Sequence, residues 1–144
     1  MKADLMTNCH CLSLRQAARQ VTQLYDRHLA PFQLTLNQYS ILGQLSVLDA
    51  TPINELAQKL FVDRTTLTRN LKLLQQAGWV AQAPHPTDGR SQCVSLSAAG
   101  RRLLTKAIPA WQAAQAQFEA AFGTLEAAAL RQQLHAVAQT TLPT

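Results

Sequence analysis

The chain has 144 residues, enough for one domain with a real hydrophobic core and too few for two typical ones. Hydrophobic residues make up 47% and charged residues 15%, which excludes a disordered chain. Thirteen Lys and Arg against eight Asp and Glu leave a net charge of +5, which favours a polyanionic partner, although charge alone would suit a membrane headgroup too. No apolar run approaches the ~18 residues of a membrane span. The polar start, residues 1–11, lacks an apolar signal-peptide core, so a cytoplasmic protein is expected. Cys9, Cys11 and Cys93 cannot all pair within one chain and read as reactive or plain thiols. There is no Gly-rich phosphate loop, no paired carboxylate site and no Ser-His-Asp ordering, so neither an enzyme nor a cofactor is expected. Of the histidines, His85 and His135 read as exposed.

From about Ser13 to Ala30, Leu14, Ala17, Ala18, Val21, Leu24, Tyr25 and Leu29 recur at three-four spacing and predict an amphipathic helix that Pro31 ends. Thr35 and Gln38 form a capping box, and Leu34 with Tyr39 a staple, opening a second helix to about Leu48. At Asp49-Ala50-Thr51-Pro52 one element stops and the next starts. Thr51 reads as a cap and Pro52 as a first-turn residue of a third helix, Ile53 to about Leu60, with small Ala57 on its inner face.

Phe61 and Val62 then precede the stretch from Asp63 to Gly78. Asp63 is a good N-cap, Val62 can staple onto Leu67, and Gly78 supplies a left-handed stop. Leu67, Leu71 and Leu74 make an apolar stripe, while Arg64, Thr65, Thr68, Arg69 and Lys72 fall mostly outside it. Beyond the cap, that outer side carries no acid. Two helices joined by so short a turn predict a helix-turn-helix, and the second is equipped to enter a DNA major groove rather than to be an ordinary solvated face.

After Gly78 the period becomes alternating. Trp79–Ala83 and Ser91–Leu96 predict two strands, the second with Val94 and Leu96 on one side and Cys93 and Ser95 on the other. Pro84, Pro86 and the Asp88-Gly89 turn lie between them. A helix-turn-helix followed by a hairpin with a basic tip is a winged helix. Ser97 caps a long helix carrying Leu104, Ile108, Trp111, Phe118 and Phe122, with a kink expected at Pro109. Gly123-Thr124 break it, and a final helix runs to about Thr140. These helices hold more apolar surface than a small core can cover, so packing against a second copy is expected, with burial against the first helix alone as the alternative. The predicted fold is mainly α with a small β-hairpin wing, in a single domain over 1–144. Its winged helix-turn-helix spans about 35–97, and dimerisation helices span about 13–30 and 98–140.

Asn54-Glu55-Leu56-Ala57, Asp63-Arg64-Thr65-Thr66-Leu67-Thr68-Arg69, and Asp88-Gly89-Arg90-Ser91 leading to Val94-Ser95-Leu96-Ser97-Ala98-Ala99-Gly100 occur in that order. In this the chain resembles MarR-type transcriptional regulators over essentially its whole length. Phe61 departs from the pattern, because many relatives have Gly or a small residue in that turn. The resemblance implies a homodimer held by its N- and C-terminal helices, repressing by default, with each wing and recognition helix serving half of a near-palindromic operator in double-stranded DNA. Thr65, Thr66, Thr68 and Arg69 are then expected at base edges, since Arg reads guanine bidentately and Thr meets a thymine methyl. Arg64 and Lys72 are expected at phosphates, with help from the caps Thr35 and Thr51. Arg90 is similar to the family arginine that enters the minor groove, and Asp88 either orients that guanidinium or shapes the turn.

Cys9-His10-Cys11 stands just before the first predicted helix. In the branch of the family that senses organic hydroperoxides, a reactive cysteine lies at this point with tyrosines to hold it. Cys11 and Tyr25 match that pattern; Leu36 replaces the second tyrosine, for which Tyr39 is a nearby substitute. Arg15, one turn along, and the helix start would favour oxidation of Cys11 to a sulfenate. Three alternatives stand beside it: a soft metal at Cys9, His10 and Cys11, short of ligands without Cys93 or a partner chain; a small phenolic acid in a cleft between the helix-turn-helix and the dimerisation helices, lined by Arg19, Tyr25, His28 and Tyr39; and inert thiols. A winged-helix protein adaptor is the rival function, and the cations Arg64, Arg69, Lys72 and Arg90 argue against it.

Overall fold

The computed structural model describes residues 6–144, so part of the polar start, residues 1–5, lies outside the described residues. The first helix, α1 (His10–Leu29), begins three residues before Ser13. Cys9 is its N-cap: the Cys9 Sγ accepts the Leu12 N–H at 3.4 Å, and the Ser13 hydroxyl donates to the Cys9 carbonyl at 3.0 Å. Cys9-His10-Cys11 is therefore the start of α1 and not a lead-in to it. A thiol is not among the side chains that usually cap, which is why the spacing of apolar residues placed the start too late.

A single 3-10 turn at Ala30–Phe32, holding Pro31, leads to α2 (Leu36–Ser46). Its capping box is complete: the Thr35 hydroxyl accepts the Gln38 N–H at 3.2 Å, and Gln38 Oε1 accepts the Thr35 N–H at 3.1 Å. Asp26 Oδ1 accepts the Leu36 N–H at 2.7 Å, which pins the end of α1 to the start of α2.

Thr51 is not a cap. Thr51–Pro52 form a short strand, β1, paired antiparallel with a strand near the wing. The residue before a proline is driven to extended backbone, and Pro52 has no N–H to extend a ladder, so the strand is short and sits at a sheet edge. The Thr51 hydroxyl donates to the Asp49 carbonyl at 2.7 Å, and the residue is only 4% exposed. The next helices are α3 (Ile53–Leu60) and α4 (Arg64–Gln76), followed by β2 (Val80–Pro84) and β3 (Gln92–Leu96). The sheet order is β1-β3-β2, with Val94 opposite Thr51 and Gln82. The wing hairpin therefore belongs to a three-stranded sheet whose third strand the sequence pattern did not reveal. On β3 the neighbours Cys93 and Val94 are both buried, so both sides of the strand are covered at this point.

The chain closes with α5 (Ala98–Phe122) and α6 (Thr124–Gln139); Pro109 lies within α5 without interrupting it. Leu29, Leu42, Leu45, Leu56, Leu67, Leu71, Leu74 and Val94 are fully buried in one core. Removing each such side chain from water contributes about 1.5–3 kcal/mol. The three α4 leucines are among them, so the inner stripe of α4 is what docks it. By contrast, Leu14, Phe122, Leu125, Leu134 and Val137 stay exposed. Together α1, α5 and α6 frame an apolar groove of about 900 Å³, lined by Leu14, Ala18, Val21, Tyr25, Phe118, Leu130 and Leu134 among others.

Candidate nucleic-acid interface

At the head of α4, Asp63 accepts the Thr66 N–H at 2.9 Å and the Thr66 hydroxyl at 2.6 Å. Those bonds, with the hydroxyl contributing most, hold the Asp63 carboxyl below its ordinary range. Because the folded form binds its proton less readily than the unfolded one, the capping stabilisation is full above the unfolded carboxylate range. It is lost as pH falls through the lowered folded value. Asp63→Ala should therefore lower the thermal midpoint at neutral pH, and the two melting curves should converge in acid. A gap that persists unchanged in acid would show that the carboxylate is not the source of the cap.

The same bonds change the expectation for Thr66. Its hydroxyl donates to Asp63, and the residue is half-buried, so its proton is already committed to the cap. Arg64, Thr65, Thr68, Arg69 and Lys72 are all exposed. No acidic residue occurs between Asp63 and Asp88, so α4 itself carries no acid, and the acid that feels Arg69 is the Asp63 cap. The Thr35 cap is exposed, whereas buried Thr51 cannot present its hydroxyl to a phosphate.

The wing tip is held by backbone bonds to two side chains. Asp88 Oδ1 accepts the Arg90 N–H at 3.1 Å, and Oδ2 accepts the Ser91 hydroxyl at 3.3 Å. Of the two roles open to Asp88, shaping the turn is the one these bonds serve. His85 Nδ1 accepts the N–H groups of Thr87 and Asp88, both at 3.1 Å. His85 read as merely exposed in the sequence; it is half-buried and organises the loop, a role that no spacing rule for histidine signals. Arg90 is exposed at the tip.

Ser97 joins these parts. Its hydroxyl donates to the Gly78 carbonyl at 2.6 Å and accepts the Gly100 N–H at 3.0 Å, while its own N–H donates to the Trp79 carbonyl at 3.1 Å. The end of α4, the root of the wing and the start of α5 thus share one hydrogen-bonded junction. It fixes where the cations of α4 stand relative to the hairpin that carries Arg90.

The sensing residues are more dispersed. Cys11 is exposed, Cys9 half-buried and Cys93 buried. Tyr25 is buried and its hydroxyl donates to Gln115 Oε1 on α5. Burial, with a further push from Glu119 and opposed by Arg131, raises its phenol above the ordinary range. At a rise of ~1.5 Å per residue, Tyr25 lies roughly 21 Å along α1 from Cys11. Tyr39 stacks on Trp111, with ring centroids 6.1 Å apart, and burial raises its phenol too. Within one subunit, then, Cys11, Tyr25 and Tyr39 do not converge. Of the residues expected to line a phenolic-acid cleft between the helix-turn-helix and the dimerisation helices, Tyr25 also lines the α1–α5–α6 groove. Among the described residues of one subunit no three His, Cys, Asp or Glu side chains come together, and Cys93 does not join Cys9-His10-Cys11.

A helix-turn-helix whose second helix turns a cationic face outward, followed at once by a hairpin with an arginine at its tip, defines a winged helix-turn-helix protein. Residues 32–91 match the profile of the MarR family. The chain is similar to the M. tuberculosis transcriptional regulator MosR in complex with DNA, 38% identical over 92% of this chain and 95% of that one, with a TM-score of 0.83. It is also similar to a cysteine-to-serine mutant of MarR from E. coli complexed with operator DNA, 25% identical over 94% of this chain and 99% of that one, with a TM-score of 0.83. The organic hydroperoxide resistance transcriptional regulator of Bacillus subtilis is 29% identical over 72% of this chain and 70% of its own length. The chain belongs to the MarR family of DNA-binding transcriptional regulators. Among the described residues no helix is long and apolar enough to cross a membrane.

Proposed function

We propose that this chain acts in the cytoplasm, without catalysis, as a homodimeric repressor of a near-palindromic operator. The observation that carries the reading is the acid-free, exposed face of Arg64, Thr65, Thr68, Arg69 and Lys72, set by Ser97 in fixed relation to the wing. Arg69, Thr65 and Thr68 read base edges, Arg64 and Lys72 hold phosphates, and Arg90 enters the minor groove. Thr66 and Asp88 serve mainly by shaping what their neighbours present. Residues 35–97 form the DNA-reading unit. The helices on either side hold the dimer, whose second copy covers the apolar groove and the exposed Leu125, Leu134 and Val137. A native gel with duplex DNA tests this: the shift should weaken steeply with salt. A salt-independent shift, or none with any duplex recovered from random-sequence selection, overturns it.

Release follows oxidation of Cys11, the exposed thiol in the first turn of α1. Its thiolate attacks an organic hydroperoxide, the O–O bond breaks, the alcohol leaves and a sulfenate remains on sulfur. Because Tyr25 and Cys11 sit at opposite ends of one helix, any contact between them is made across the dimer. Wild-type protein should leave its duplex on treatment with a lipid hydroperoxide, and Cys11→Ser should stay bound. Peroxide release that survives Cys11→Ser removes Cys11 as the sensor. Release of either protein by a phenolic acid alone assigns sensing to a small ligand.

A further inference from the structure

We propose that Phe61 is a DNA-contacting residue whose ring packs against nonpolar carbon at the rim of the groove that α4 enters, a thymine methyl or a deoxyribose. The inference rests on the DNA-binding reading of α4 and adds to it a residue that is neither cationic nor on a helix.

Two independent features mark Phe61. Its backbone lies in the left-handed region, at φ 53°, where a side chain is strained and glycine is favoured. The residue is 67% exposed and takes no part in the hydrophobic core. Packing therefore does not offset the strain, and solvent gains nothing from an open aromatic ring. The same unit supplies its own control. At the end of α3 the Val62 N–H donates to the Ala57 carbonyl at 3.1 Å and the Phe61 N–H to Gln58 at 3.2 Å. At the end of α4 the Trp79 N–H donates to Leu74 at 2.9 Å and the Gly78 N–H to Gln75 at 3.0 Å. These are two copies of one helix-ending motif, and the second uses Gly78 at φ 80°. Gln33 also adopts the left-handed conformation, but its polar side chain exposes no large apolar surface. Among the described residues only Phe61 combines the strained backbone with an exposed aromatic side chain, and strain held in place without a packing return marks a functional position.

Its location names the partner. Phe61 stands two residues before the Asp63 cap, beside the N-terminus of α4, and its neighbours Lys59, Arg64 and Thr65 are exposed. A nonpolar ring set among cations suits a surface that offers phosphates and hydrocarbon side by side. Aromatic contact with a thymine methyl is an established mode of reading in the major groove.

The test uses the full chain and a duplex recovered by wild-type selection from random DNA. Phe61→Gly should raise the thermal midpoint yet weaken binding about fivefold or more, the scale of losing one base contact. Phe61→Ala should weaken binding to the same degree without the gain in stability, and Phe61→Leu should restore most of the affinity. Replacing each thymine by deoxyuridine separates the two targets. If a methyl is the target, one replacement weakens wild type and leaves Phe61→Ala unaffected. If a deoxyribose is the target, the difference between the two proteins persists on every substituted duplex. Phe61→Gly and Phe61→Ala binding as tightly as wild type overturns the proposal while leaving the DNA reading intact. Failure of wild type to select any duplex removes both.

Discussion

Gly100→Ala is expected to destabilise the fold by about 3 kcal/mol or more, lowering the thermal midpoint by roughly 10 °C. A β-carbon at position 100 would overlap the carbonyl oxygen of Trp79 and come within 2.8 Å of Leu96 Cδ1. The obstacle is backbone rather than a flexible side-chain end, so it cannot swing aside. The same Trp79 carbonyl accepts the Ser97 N–H, and the Ser97 hydroxyl caps α5 through the Gly100 N–H. Relief of the overlap therefore has to move the start of α5 away from the root of the wing, breaking the junction that also ties down the Gly78 carbonyl. The helix itself would gain from alanine, by up to ~1 kcal/mol, which is too little to compensate. Circular dichroism melts of the two proteins check this. A variant that melts like wild type would mean that the α5–wing junction tolerates displacement and does not fix the reading head.

How much of this was legible beforehand depended on whether the deciding interaction was local. The Thr35–Gln38 capping box, the Asp63 cap and the Gly78 stop all follow from residues within a few positions of one another, and all are present as read. The leucine stripe of α4 follows from its periodicity, and it is fully buried. Thr51-Pro52 looked like a cap and helix start by the same local grammar, yet the deciding partner is β3, about forty residues on, and no pattern within the dipeptide announces it. The burial of Cys93 is hidden for the same reason, since it depends on the full sheet and not on the alternation along β3. The capping role of Cys9 was hidden because a thiol rarely caps, and the loop-organising role of His85 because an imidazole bound to backbone N–H groups leaves no spacing signature. Thr66 is subtler. The resemblance put it at a base edge, and nothing in the sequence announced the bond that commits its hydroxyl to Asp63. Phe61 was visible as a departure from the family, and only its backbone conformation and exposure give that departure a meaning.

Arg90→Ala and Arg69→Ala should both weaken binding to operator DNA, but in ways that identify which part of the duplex each side chain meets. Arg90 sits on a hairpin tip whose turn is closed by backbone bonds to Asp88 and His85, so its removal leaves the wing in place and deletes one charge. Each phosphate neutralised releases condensed counterions, so Arg90→Ala should weaken binding across many sequences and flatten the salt dependence by about one unit of slope. Arg69 lies on α4 one turn beyond Thr65, where a guanidinium can meet the O6 and N7 of a guanine. Its loss should cost ~1–3 kcal/mol on the preferred duplex and almost nothing on a duplex already mismatched at that base, with preference relaxed at one position in each half-site. Selection from random DNA with the two variants separates them. An unchanged consensus from Arg69→Ala would take that residue off the base edges, and an unchanged salt slope from Arg90→Ala would take the wing tip out of the interface. If both held, the cations of α4 and of the hairpin would not share one target, and the junction at Ser97 would have no recognition geometry to maintain.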